Sequence, residues 1–267
     1  MRGYTCGYAD GPFGQIHFRD TGVGRPLILL HQAPMSSRQF DSVYHLLAKR
    51  GVRGIGIDYP GFGGSEATKH VPTIADYAAI VPPVLNYLKL DKVDVLGHHT
   101  GALVATEFSL SNPQRTVNLI LNGPLPMGDD ERSQRLQRVK DVETPFKAVA
   151  DGSHLQRLFA RRAQMTAGNV DLNTVTRYIV EGLGGYGPFW YGHHAAFTYD
   201  HAAAIKRISH RTLILTNTGD EIYENAKHTK QMRPDFDYIE LQGGGVDIVD
   251  QQPEEWAEIV SKFVQAQ

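Results

Sequence analysis

Cysteine is almost absent from this chain: Cys6 stands alone. A lone thiol excludes an intrachain disulfide framework and any metal centre built from clustered cysteines. No apolar run is long enough to span a bilayer. The opening Met1-Arg2-Gly3-Tyr4-Thr5-Cys6-Gly7 lacks the apolar core of a signal peptide. Neither sign of charge is in excess: the net charge is −2 with histidine neutral, so there is no electrostatic footprint for nucleic acid. These absences lead us to expect a soluble, cytoplasmic protein with no nucleic-acid and no membrane partner. What is present is a chain of 267 residues, enough for one large α/β domain with a sizeable core. Its 12 histidines are a mild excess, and they include two adjacent pairs, His98-His99 and His193-His194.

Apolar runs alternate with amphipathic stretches through the first half. Gln15–Asp20, Pro26–His31, Val52–Asp58, Val93–Leu96 and Thr116–Leu121 read as strands. Phe40–Lys49 has helical spacing, with Phe40, Val43, Leu46 and Leu47 on one face. Thr73-Ile74-Ala75-Asp76 is a capping box, with Asp in the reach-back position. The helix it opens runs to about Leu88 and must kink at Pro82-Pro83. Ala102–Ser111 is the helix that follows the strand ending at Leu96. From about Pro126 to Asp200 no strand is expected, and Arg132–Val142, Leu155–Gln164 and Leu172–Leu183 look helical. Alternation resumes with strand Thr212–Asn217, helix Glu224–Met232, strand Asp237–Leu241 and a last helix opened by Pro253. The pattern predicts a mostly parallel, doubly wound α/β sheet. Residues 1–126 and 200–267 form its core, and a helical insertion spans 127–199.

The most informative stretch is Gly97-His98-His99-Thr100-Gly101, after the strand Val93–Leu96. Gly-x-nucleophile-x-Gly after a strand is the pattern of a nucleophile elbow, whose strained central residue needs small neighbours. Here the central residue is His99, and imidazole is more often a base or acid than a nucleophile.

In order and spacing the chain resembles an α/β hydrolase with a helical cap inserted after the sixth strand. The resemblance rests on Leu29-Leu30-His31, Asp58-Tyr59-Pro60-Gly61-Phe62-Gly63-Gly64-Ser65, the elbow, Asn217-Thr218-Gly219-Asp220 and Gly243-Gly244-Gly245-Val246-Asp247. It covers nearly the whole length. It implies a catalytic acid at Asp220 and places Val246 where family members carry the catalytic histidine. The usual serine and histidine are therefore both missing. With Val246 apolar, the fold leaves space for His99 to donate a ring N–H to Asp220, making a His–Asp dyad. The bland alternative is that His99 fills the vacated space and Asp220 caps the next helix.

The resemblance also implies an oxyanion site from backbone N–H groups of Gln32 or Ala33 and of Thr100, with the Gln32 side chain as a further donor. His31, Trp190, His193, His194, Tyr223 and Val246 are candidate pocket residues. His98 reads as a packed, hydrogen-bonded side chain. No ligand spacing supports a metal at His99, His193, His194 and Asp220, so no metal and no cofactor are expected. A small-molecule substrate is the expected partner, with a homodimer left open. The reaction expected first is hydrolysis of an ester, lactone or activated carbonyl compound, with His99 as base or nucleophile. A non-hydrolytic lyase, a cofactor-free oxygenase and a ligand-binding pseudoenzyme are the alternatives.

Overall fold

The computed structural model describes residues 3–166 and 170–266. Eight strands form one sheet: β1 (Thr5–Gly11), β2 (Gly14–Asp20), β3 (Arg25–Leu30), β4 (Val52–Ile57), β5 (Val93–His98), β6 (Thr116–Asn122), β7 (Arg211–Asn217) and β8 (Asp237–Leu241). Their order is β1-β2-β4-β3-β5-β6-β7-β8. The β1–β2 and β2–β4 pairs are antiparallel, and the remaining pairs are parallel.

Side chains on a strand alternate between the faces of a sheet, so continuous apolar runs imply burial on both sides. Ile28 and Leu30 enter one core cluster with Ile55, Ile57, Val95 and Leu121. Leu27 and Leu29 enter the other, with Leu96, Ile120, Leu213 and Leu215. The second cluster is closed by α1 (Tyr44–Lys49) and α12 (Pro253–Gln265), whose fully buried Trp256 donates Nε1–H to Asn122 Oδ1 at 2.7 Å. The first is closed by α2 (Ile74–Ala78), α3 (Val81–Tyr87) and α4 (Thr100–Ser111).

Two helices expected as continuous are broken. Phe40–Lys49 divides into a 3-10 turn over Ser37–Phe40 and α1. The stretch from Thr73 divides into α2 and α3, because Pro82 and Pro83 lack N–H donors and can sit only in the first turn of a new helix. The Thr73–Asp76 capping box is formed, with Thr73 N–H donating to Asp76 at 2.8 Å. β1, an exposed edge strand, was not expected from the sequence.

Between β6 and β7 the chain is helical: α5 (Asp129–Arg138), a π-turn over Val139–Glu143, α6 (Ser153–Met165), α7 (Leu172–Leu183), α8 (Tyr191–Thr198) and α9 (His201–Lys206). α10 (Tyr223–Met232) and α11 (Ile248–Gln251) follow β7 and β8. No described helix is long and apolar enough to cross a membrane.

Candidate active site

The carboxyl ends of parallel strands are where loops from successive β–α units converge. Here β3, β5, β7 and β8 deliver Gln32–Met35, His99, Asp220 and Val246 to one region. The turn between β5 and α4 is tight. His99 sits at φ 50°, ψ −112°, a conformation that costs a non-glycine residue free energy and turns its side chain out of the sheet. A Cβ on Gly97 would lie 1.8 Å from Gly101 O, and one on Gly101 would lie 2.1 Å from Leu30 O. The turn closes only because both residues are glycine. Its backbone is held by His99 N–H donating to Asn122 O at 2.8 Å.

His99 Nε2 lies 2.8 Å from Asp220 Oδ2. The other Asp220 oxygen accepts the Ile222 N–H at 3.1 Å, so this carboxylate bonds the ring and caps the following turn at once. Burial works against charge on both partners. For Asp220, the His99 ring, its hydrogen bond and the Ile222 amide outweigh that cost and lower the carboxyl below its ordinary value. For His99, burial is outweighed by the Asp220 carboxylate and its hydrogen bond, and the ring is raised above its ordinary value. Since a carboxylate only accepts, Nε2 carries the proton and Nδ1 holds a lone pair. Nδ1 makes no hydrogen bond among the described residues and keeps solvent access. His99 also lines a cavity of about 630 Å³.

The loop after β3 is set by a buried polar chain that sequence reading missed. Gln32 N–H donates to Gln39 Oε1 at 2.8 Å, so Gln39 must present its Nε2 donor to His98 Nδ1. His98 therefore carries its proton on Nε2, and burial, aided by the neighbouring His99, holds it neutral well below the ordinary value. This bears on metal binding. His98, His99 and Asp220 place ligand atoms within 4.8 Å of one another. Yet neither nitrogen of His98 offers a free lone pair, and His99 Nε2 is committed to Asp220. The donor set does not fit a cation without breaking the chain through Gln39.

The Gln32 amide is thus already used. Ala33 N–H and Thr100 N–H, the latter in the first turn of α4, remain as backbone donors. Among the described residues the Gln32 side-chain Nε2 is buried without a partner, and Gln32 and Ala33 both line the cavity. Gly123 (φ 69°) borders His99, where an added Cβ would lie 2.6 Å from Cδ2 of the ring.

Val246 and His193 line the cavity, and His193 Nδ1 lies 2.9 Å from Glu143 Oε2. Four other expected wall residues lie elsewhere. His31 is fully buried behind the loop, bonded to Gln32 O at 2.8 Å and accepting the Tyr59 N–H at 3.2 Å. Trp190 packs edge-on against Tyr191 and His194, outside the cavity. His194 faces away because consecutive helical residues point about 100° apart, and His193 takes the inward direction. Tyr223 turns outward, donating its hydroxyl to Glu240 at 2.8 Å.

A family model described as the alpha/beta hydrolase fold matches residues 25–233. The chain belongs to the α/β hydrolase fold family. It is 25% identical over 168 residues to (E)-2-((N-methylformamido)methylene)succinate hydrolase of Acinetobacter baylyi, a match covering 60% of this chain and 64% of that one. It is 31% identical over 114 residues to a 2-hydroxy-6-oxononadienedioate/2-hydroxy-6-oxononatrienedioate hydrolase of Paraburkholderia phymatum, covering 41% of this chain and 40% of the relative. These matches span under two thirds of the relatives' length. An esterase structure from Exiguobacterium antarcticum superposes with a TM-score of 0.80 over 98% of this chain and 100% of that one at 20% identity, a likeness of fold.

Proposed function

We propose that this protein hydrolyses a small organic ester, lactone or activated carbonyl compound, using His99 and Asp220 as an acid–base dyad in place of a serine triad. One observation carries the reading: His99 Nε2 is bound to Asp220 at 2.8 Å while its other nitrogen is free at the wall of the cavity. Two relatives are named as hydrolases of small organic acids, which fits this class of reaction.

The steps balance with water as the only co-reactant. His99 Nδ1 takes a proton from water as its oxygen attacks the carbonyl carbon. The oxyanion that forms is met by the amides of Ala33 and Thr100, with the Gln32 side chain as a further donor. The imidazolium, stabilised by Asp220, then gives its proton to the leaving oxygen as the carbon–oxygen bond breaks. No protein side chain needs to be acylated.

The test is a panel of aryl esters and lactones against the unaltered chain, His99→Ala and Asp220→Ala. Loss of roughly 100-fold or more in kcat for either variant is expected for a general base and its orienting acid. Turnover that survives both substitutions overturns the dyad. A covalent adduct on His99 in mass spectrometry makes the ring a nucleophile instead of a base. Esterase activity created by His99→Ser with Val246→His would show that a serine triad still fits this scaffold.

A further inference from the structure

Helix α6 turns its charged side toward the cavity. His154, Arg157, Leu158, Arg161, Arg162 and Met165 all line it, and their spacing of three and four residues marks one helix face. A neighbouring face carries Leu155, Gln156 and Phe159, which border a groove shared with Thr176, Ile179, Val180 and Leu183 of α7. Arg162 is occupied: it bonds Asp247 and lies over the Tyr178 ring, 4.5 Å from its centroid. Arg157 and Arg161 are not. Among the described residues neither has a carboxylate oxygen within 4.0 Å, and nor does Lys147, which also lines the cavity. Among the described residues the Arg157 side chain hydrogen-bonds the Ser153 hydroxyl, at 3.0 Å, and no carboxylate. Against these three cations stands Glu221, because the other lining acid, Glu143, is held by His193.

We propose that Arg157 and Arg161, with Lys147, bind a carboxylate on the substrate, so that the cavity selects acids that also carry the reacting carbonyl group. This rests on the reading of the cavity as a substrate site. Guanidinium groups present forked donors that match a carboxylate. The basic side chains are exposed, so they stay hydrated until a ligand arrives and draw anions toward the opening. The remaining walls, among them Pro34, Met35, Ile179 and Leu183, suit a carbon skeleton. A fully hydrated inorganic anion would gain nothing from them.

The experiment is calorimetric titration of the full chain with glutarate, its neutral analogue glutaramide, and inorganic phosphate. The same titrations are run on Arg157→Gln/Arg161→Gln and Arg157→Lys/Arg161→Lys, with circular dichroism checking the fold. Glutarate is expected to bind about tenfold more tightly than glutaramide, and to weaken about tenfold in the glutamine variant and with added salt. The lysine variant keeps the charge and should retain most of the affinity. The proposal is overturned if glutarate does not bind or glutaramide binds equally well. It is also overturned if the glutamine variant keeps full affinity or phosphate binds more tightly than glutarate. Turnover of mono-4-nitrophenyl glutarate and 4-nitrophenyl butyrate separates the two readings. If neither ester is hydrolysed while glutarate still binds through the arginines, the anion site stands and the hydrolase reading falls.

Discussion

At the scale of single residues, the proposed chemistry turns on which nitrogen of His99 carries a proton. The Asp220 carboxylate settles this by accepting from Nε2, and it also raises the ring above its ordinary value against the pull of burial. A base must be neutral to act, so activity should rise with pH through the His99 pKa. The acid limb of kcat/KM is therefore expected above the ordinary histidine value of about 6.5. Replacing Asp220 with Asn removes the carboxylate but keeps a side chain of the same shape. Burial is then opposed only by the Glu221 and Asp247 carboxylates, and the residual activity should show an acid limb shifted to lower pH. A pH–rate profile of both proteins checks this. A limb that does not move would mean that Asp220 does not tune the ring. The same residues show what a sequence can reveal. His99 and Asp220 are legible because flanking glycines and the Asn217-Thr218-Gly219-Asp220 run mark their places. Gln39 is not legible, because nothing in its neighbourhood marks it as the partner of both Gln32 and His98.

At the scale of elements, the turn between β5 and α4 depends on helix and sheet approaching each other without side chains between them. A Cβ at residue 101 would meet Leu30 O at 2.1 Å and His31 O at 3.0 Å, both backbone atoms that cannot swing aside. Gly101→Ala is therefore expected to push α4 off the end of β3 and to cost about 3 kcal/mol of stability. Chemical denaturation measures this. A loss below about 1 kcal/mol would show that the turn has slack. The central strands could be read from sequence because apolar runs buried on both faces are hard to mistake: Val52–Ile57 and Thr116–Asn122 are each found within one residue of the expected bounds. β1 was missed because Thr5–Gly11 is an edge strand with two glycines and mostly exposed side chains, so it lacks an apolar run. The break between α2 and α3 was expected only as a kink, because the strength of the Pro82-Pro83 interruption depends on packing that sequence does not show. The arginine stripe of α6 was written in the spacing 157, 161, 162. Its direction toward the cavity depends on the docking of the whole helix.

At the scale of the molecule, the helical segment is joined to the sheet through ion pairs made close to the proposed dyad. Arg162 bonds Asp247, while Arg177 and the Tyr178 hydroxyl bond Asp250. Ser36 donates to Glu181 at 2.9 Å from the loop after β3. Asp247 directly follows Val246, so the residue anchoring α6 is next to the one that shapes the wall beside His99. Burial pushes the Asp247 carboxyl up to about 6 despite Arg162, with Asp250 adding to the rise. A group whose folded pKa exceeds its unfolded value binds its proton more tightly when folded, so its contribution to stability falls as pH rises from about 4 to about 6. Above that window the ionised carboxylate depends on Arg162. Arg162→Met should therefore destabilise the protein by about 3 kcal/mol at pH 8, where it leaves a buried charge unpaired. At pH 5 Asp247 is mostly protonated, and the cost should shrink toward the loss of packing over Tyr178. Denaturant titrations of both proteins at the two pH values give the comparison, and hydrogen exchange localises the loosening. Faster exchange is expected in α6 and α11 at pH 8, with β5 and β6 still protected. An equal cost at both pH values would show that Arg162 acts by packing alone, and uniform exchange would show that the helical segment and the sheet open as one unit.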